Sequence, residues 1–147
     1  MDTSNQGKYG HLIVDELKYE PPMSPEYREI YNRFSHRQLW IDGNIVPGAF
    51  QMNTAWYVKT PEKDPIFEAH SHESEEIIGF FSSDPDSREL DSELEVIIDG
   101  ESHMITRSAL IFVPSGLPHS IRIHRIGKPI FHFSVVTGKT YNNSAYK

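Results

Sequence analysis

The chain has 147 residues, room for one domain with its own hydrophobic core and little left for a second. It contains no cysteine, which excludes disulfide scaffolds, Cys-ligated zinc, iron–sulfur clusters and thiol catalysis. Fourteen Lys and Arg against 21 Asp and Glu give a net charge of −7, so the surface repels phosphate, and neither nucleic acid nor an anionic membrane is an expected partner.

Residues 1–10 and 138–147 are polar and aperiodic and read as tails, leaving 11–137 as the expected domain. No apolar run reaches the length of a membrane span, and the first ten residues lack a signal-peptide core, so a soluble, cytoplasmic chain is expected. The first periodic segment follows Ser24-Pro25. Tyr27, Ile30, Tyr31 and Phe34 fall at i, i+3, i+4 and i+7, which predicts a short amphipathic helix over about 25–34, capped by Ser24 and entered through Pro25.

From residue 38 the texture becomes short strands separated by turn chemistry. Expected strands cover Gln38–Ile41, Gly48–Val58, Phe67–His72, Glu75–Phe81, Glu93–Ile98, Ser102–Thr106, Ala109–Val113, His119–His124 and Ile130–Val136. Asp99-Gly100 is the strongest hairpin signal. The acidic stretch Ser82–Glu95 reads as a solvated loop. Many short strands with hardly any helix predict an all-β fold, a small antiparallel barrel or jelly roll.

In a cysteine-free chain with eight histidines, a metal site must be built from imidazole and carboxylate. His70 and His72 lie two apart, so in a strand they share a face, and Glu76 keeps the same parity. Glu75 would point the other way, so Glu76 is the expected carboxylate. Downstream, Pro114-Ser115-Gly116-Leu117-Pro118 makes a tight turn and His119 opens the next strand.

These two segments resemble the paired motifs of the cupin superfamily, over roughly residues 48–136. The resemblance implies a single-domain cupin-type β-barrel around one divalent transition metal (Fe, Mn, Ni or Zn), with His70, His72, Glu76 and His119 as ligands. The chain departs from the pattern in two places. Ser108 stands where the second motif usually opens on glycine, and the Ser82–Ser92 region lengthens the link between the motifs.

Four ligands on an octahedral dication leave two positions for water, dioxygen or a chelating molecule. The resemblance implies an enzyme acting on a small oxygenated organic molecule by Lewis-acid or dioxygenase-type chemistry, with Glu76 the one candidate catalytic side chain. The alternatives are a non-catalytic binding or sensing module, or a barrel with a purely structural metal; fold and ligands do not choose among them.

Two walls are open for the pocket. Gln51, Asn53 and Tyr57 share one strand face as a candidate substrate-orienting set, while Met52 and Trp56 share the other and would make an ordinary apolar core. His132 lies between Phe131 and Phe133 and faces the barrel if those rings face out, as a further candidate substrate-binding residue. His11, His36, His103 and His124 fall outside the site. The apolar segments Leu12–Leu17 and Leu39–Ile45 exceed what a minimal barrel needs and suggest pairing into a homodimer.

Overall fold

The Ser24 hydroxyl accepts a hydrogen bond from the Tyr27 backbone N–H at 3.1 Å, and Pro25 takes the first helical position, where no donor is needed. Helix α1 (Pro25–Phe34) buries Tyr31 and Phe34 and ends where Ser35 turns to extended backbone. The computed structural model describes residues 7–18, 20–63 and 69–138. Residues 1–6 and 139–147 of the two expected tails lie outside that range. Within the first tail, Gly10 is buried and starts a short 3-10 turn, Gly10–Leu12.

Among the described residues eight strands follow: β1 (Ser35–Ile41), β2 (Gln51–Tyr57), β3 (Glu76–Ser82), β4 (Glu89–Ile98), β5 (Glu101–Arg107), β6 (Ala109–Val113), β7 (His119–Ile126) and β8 (Ile130–Val136). They form two antiparallel sheets, β1-β2-β8-β3-β6 and β5-β4-β7. Inward side chains of both sheets, among them Ile78, Phe80, Leu94, Val96, Val113, Ile123 and Ile130, make the shared core. Phe34 packs on Tyr57 at 5.5 Å between ring centroids, so α1 closes the barrel at the Tyr57 end. The β4–β5 turn has φ of 47° at Asp99 and 82° at Gly100, the left-handed pair that a two-residue hairpin requires.

Two expectations fail here. Phe67 and Glu68 lie outside the described residues, and Ala69–His72 is not a strand; His70 makes a single isolated bridge, to His119. The acidic stretch is not a loop throughout, because β4 starts at Glu89. Leu90, Ser92 and Leu94 are buried in alternation with outward Glu89, Asp91 and Glu93. The acids that suggest solvation are the outer half of a period-two strand. What remains as loop, 83–88, leaves β3 from Ser82, the end remote from Glu76.

Register sets the levels of the barrel wall. Arg37, Ala55, His132 and Phe80 are successive partners across β1, β2, β8 and β3. Asn53, Ser134 and Ile78 form the next inward level, and Gln51, Val136 and Glu76 the one beyond. Gln51, Asn53, Ala55 and Tyr57 are all buried, whereas Phe50 is exposed and Met52, Thr54 and Trp56 are only partly covered. The polar set therefore lines the interior, and Trp56 packs outside against Phe131 at 5.2 Å.

Candidate metal centre

Three backbone clamps bring the two motif segments together. His70 and His119 exchange both amide hydrogen bonds, at 3.0 and 2.9 Å, and Gly116 N–H donates to the His72 carbonyl at 2.8 Å. The Ser115 hydroxyl donates to the Glu73 carbonyl. Gly116 has φ of 78°, a conformation that glycine adopts without strain, so this glycine lets the turn fold back onto residues 70–73. On the other side, Glu75 and Thr137 bond reciprocally, at 3.0 and 3.1 Å. That pair pins Glu76 opposite Val113 and Val136.

The ligand atoms of His70, His72, Glu76 and His119 lie within 4.8 Å of one another. The three imidazoles form a triangle with centroid separations of 4.4, 5.1 and 5.8 Å. His72 Nδ1 lies 2.7 Å from the Ser74 carbonyl and His119 Nδ1 lies 2.9 Å from the Leu117 carbonyl. A carbonyl only accepts, so each Nδ1 carries hydrogen and each Nε2 of a neutral ring presents a lone pair. Both Nε2 atoms sit 3.0 Å from the same oxygen, Glu76 Oε1.

Lone pairs and a carboxylate converging on one point repel unless a positive charge lies between them, and a dication or imidazolium protons supply it. The donor set therefore fits a divalent metal. Burial opposes charge on Glu76, but hydrogen bonds accepted from His119 and His72, which form when their Nε2 atoms carry hydrogen, outweigh this and hold its pKa at about 2. The Glu76 bond raises the His72 pKa against the opposing effect of burial.

Same-face parity along a strand is not what assembles this group. His70 and His72 stand in a bent loop clamped by the 114–118 turn, and only Glu76 belongs to β3. Glu75 is exposed and outside the cluster.

Of the other candidates, Gln51, Asn53, Tyr57 and His132 all face inward at 6%, 5%, 1% and 5% exposure. His132 packs against both Tyr57 and Phe80, at 4.9 and 5.1 Å between ring centroids, and its Nδ1 donates to the Gly79 carbonyl at 3.1 Å. Burial lowers its pKa to about 4, so the ring is neutral at pH 7. His124 and His103 lie on the outer surface, paired with Glu95 and Glu101; His11 and His36 are exposed.

Arg37 is the inward residue that sequence reasoning missed. Its Nε donates to Asn53 Oδ1 at 2.9 Å. The available signal was its period-two spacing from Ser35, which is legible only once β1 is known to start there.

The double-sheet barrel with an inward His/Glu cluster defines a protein of cupin fold. Among solved structures, a recombinant oxalate oxidase in complex with glycolate superposes with a TM-score of 0.55 and 17% identity, over 97% of this chain and 66% of that one. A second oxalate oxidase structure gives 0.53 and 16%, over 95% and 65%. An RmlC-like cupin from Shewanella frigidimarina gives 0.44 and 15%, over 72% and 78%. The chain thus spans just under two thirds of the oxalate oxidase length. At these identities the likeness establishes the fold. No protein-family model matches the sequence, and no curated protein matches it.

Proposed function

We infer that this protein is a divalent-metal enzyme acting on a small oxygenated organic molecule held inside the barrel. One observation carries the reading: four ligand atoms within 4.8 Å of one another, two of them imidazole nitrogens whose backbone bonds turn lone pairs toward a shared carboxylate oxygen. His70, His72, Glu76 and His119 would hold Fe, Mn, Ni or Zn. The bound ion would supply Lewis-acid polarisation or oxygen activation at its open positions.

The chain's own residues have definable parts. Three neutral imidazoles and one carboxylate cancel one of the two charges of a dication, leaving a net positive centre that attracts an oxygen-rich ligand. Asn53 offers its amide on the level between His132 and Glu76, and Gln51 offers its own on the level of Glu76. His132, held by Gly79, turns a neutral Nε2 inward. Tyr57 and Phe80 pack against the ring and keep it buried.

Elemental analysis of protein purified without added metal or chelator should find about one ion per chain. His119→Ala and His72→Ala should lower affinity by more than the 10–100-fold that loss of an outer partner of a ligand costs. Glu76→Gln should weaken binding and Glu75→Gln should not; the reverse result would place the register one residue off. Turnover or oxygen uptake with small hydroxy- and keto-compounds would distinguish an enzyme from a binding module. Unchanged metal content in all four ligand variants would refute the metal reading.

A further inference from the structure

Arg37 is 91% buried, since only 9% of it is exposed. It stands on the inward face of β1, beside Ala55 and on the level of His132. Its Nε is tied to Asn53 Oδ1, which turns the guanidinium one level toward Gln51 and Glu76. The guanidinium carbon lies 4.8 Å from the Tyr31 ring centroid and 5.7 Å from that of Trp40.

Nη1 and Nη2 are both buried, and neither has a hydrogen-bond partner among the described residues. Arg37 also makes no ion pair with a described residue. The inward acids are otherwise engaged: Glu76 with His72 and His119, and Asp42 with Trp40 Nε1 and the Asn44 and Ile45 amides. A permanently charged fork with its donors unmet in a protein interior is costly to keep and is found where a charged partner completes it.

We propose that Arg37 is the anion-docking residue of this barrel, receiving a carboxylate of the bound small molecule on Nη1 and Nη2. The ligand class is therefore organic acids. Two parallel N–H donors match the two oxygens of a planar carboxylate, and Asn53, Tyr31 and Trp40 hold the guanidinium in place before the ligand arrives. The inference rests on the barrel being the ligand site, as proposed above, but not on the metal being present.

The test is calorimetric titration of acetate, lactate and succinate, each against its neutral amide and against inorganic phosphate. It uses wild-type protein and the Arg37→Met and Arg37→Lys variants, each as purified and after chelation, with metal content measured in parallel. At least one acid should bind wild type at least tenfold more tightly than its amide and than phosphate. Arg37→Met should abolish that preference, and Arg37→Lys should keep part of it, a point charge without the fork.

Arg37→Met should retain its metal and melt no lower than wild type in the absence of ligand, because the variant no longer buries an uncompensated charge. An acid preference that survives Arg37→Met, a preference for phosphate, or no acid binding at 10 mM (about the weakest affinity calorimetry resolves) would each overturn the proposal. A lower melting temperature in Arg37→Met with acid affinity unchanged would make the residue a purely structural one. Failure of the wild type to bind any divalent metal, with Arg37-dependent acid binding intact, would overturn the metal reading and leave this one standing.

Discussion

His132 is a neutral imidazole in the middle of the barrel wall, and its environment makes folding sensitive to pH. Burial is the main cause of its depressed pKa of about 4; the Arg37 charge adds to it, while the Gly79 carbonyl and Glu76 oppose it. Tyr57 and Phe80 both pack against the ring. An unfolded histidine titrates near 6.5, so between these values the unfolded chain binds a proton that folded His132 refuses. Stability from this residue is complete above about pH 6.5, declines as pH falls, and is lost by pH 4, by about 3 kcal/mol in all. Urea unfolding of chelated wild type and His132→Gln across pH 4–7.5 should show the extra slope in wild type alone. Equal slopes would mean that the ring is solvated.

At the scale of elements, β3 shows how one residue position can limit a strand. Gly79 faces outward opposite Phe133, and a Cβ there would collide with the Phe133 ring. Phe133 lies flat over the glycine and stacks on Phe81 at 5.8 Å. Gly79→Ala should therefore destabilise by about 1–3 kcal/mol, the usual cost of overpacking, and Gly79→Ala with Phe133→Leu should recover most of it. A denaturation midpoint unchanged in the single variant would contradict this.

Elements whose signals are local were legible: the Ser24-Pro25 helix start, the Asp99-Gly100 hairpin, and β6 and β8 at the bounds their apolar runs suggest. β4 was not, because its outward acids masked its inward Leu90, Ser92 and Leu94. Nor was the start of β1. A shift of register between Arg37 and Leu39 puts Arg37 and Trp40 on the same buried side, which simple alternation forbids.

For the whole molecule, a homodimer is the proposed assembly, and the structure moves its expected surface. Of the Leu39–Ile45 segment, Trp40 and Asp42 are already buried within the chain at 2% and 0% exposure, so this segment has little left for a partner. Leu12, Ile13 and Leu17 remain exposed. A larger apolar face lies on the outside of the five-stranded sheet, where Ile77, Phe81, Leu110 and Phe112 are 41%, 39%, 63% and 55% exposed on β3 and the edge strand β6. Contiguous apolar surface on a sheet edge is a liability that pairing with a second copy removes. Light scattering at micromolar concentration should give twice the 16.9 kDa chain mass, and Leu110→Glu with Phe112→Glu should halve it. A single-chain mass for the wild type would exclude the dimer.

The sequence by itself pointed to the His/Glu cluster that the structure brings together, the fold class and the sharp turns. Each depends on residue types at short spacing, and local sterics and coordination chemistry read such spacing directly: His70, His72 and Glu76 in one segment, Pro114 to His119 in the other. The tertiary structure alone decided that the wall of Gln51, Asn53, Tyr57 and His132 faces inward. It also decided that a bent, clamped loop, rather than a continuous strand, aims His70 and His72, and that Arg37 is held by Asn53 with its Nη1 and Nη2 unmet among the described residues. These are consequences of which strand lies next to which and in what register. Pairing partners far apart in the chain are set by the packing of the whole sheet, and a one-residue bulge suffices to reverse the side on which every later residue falls.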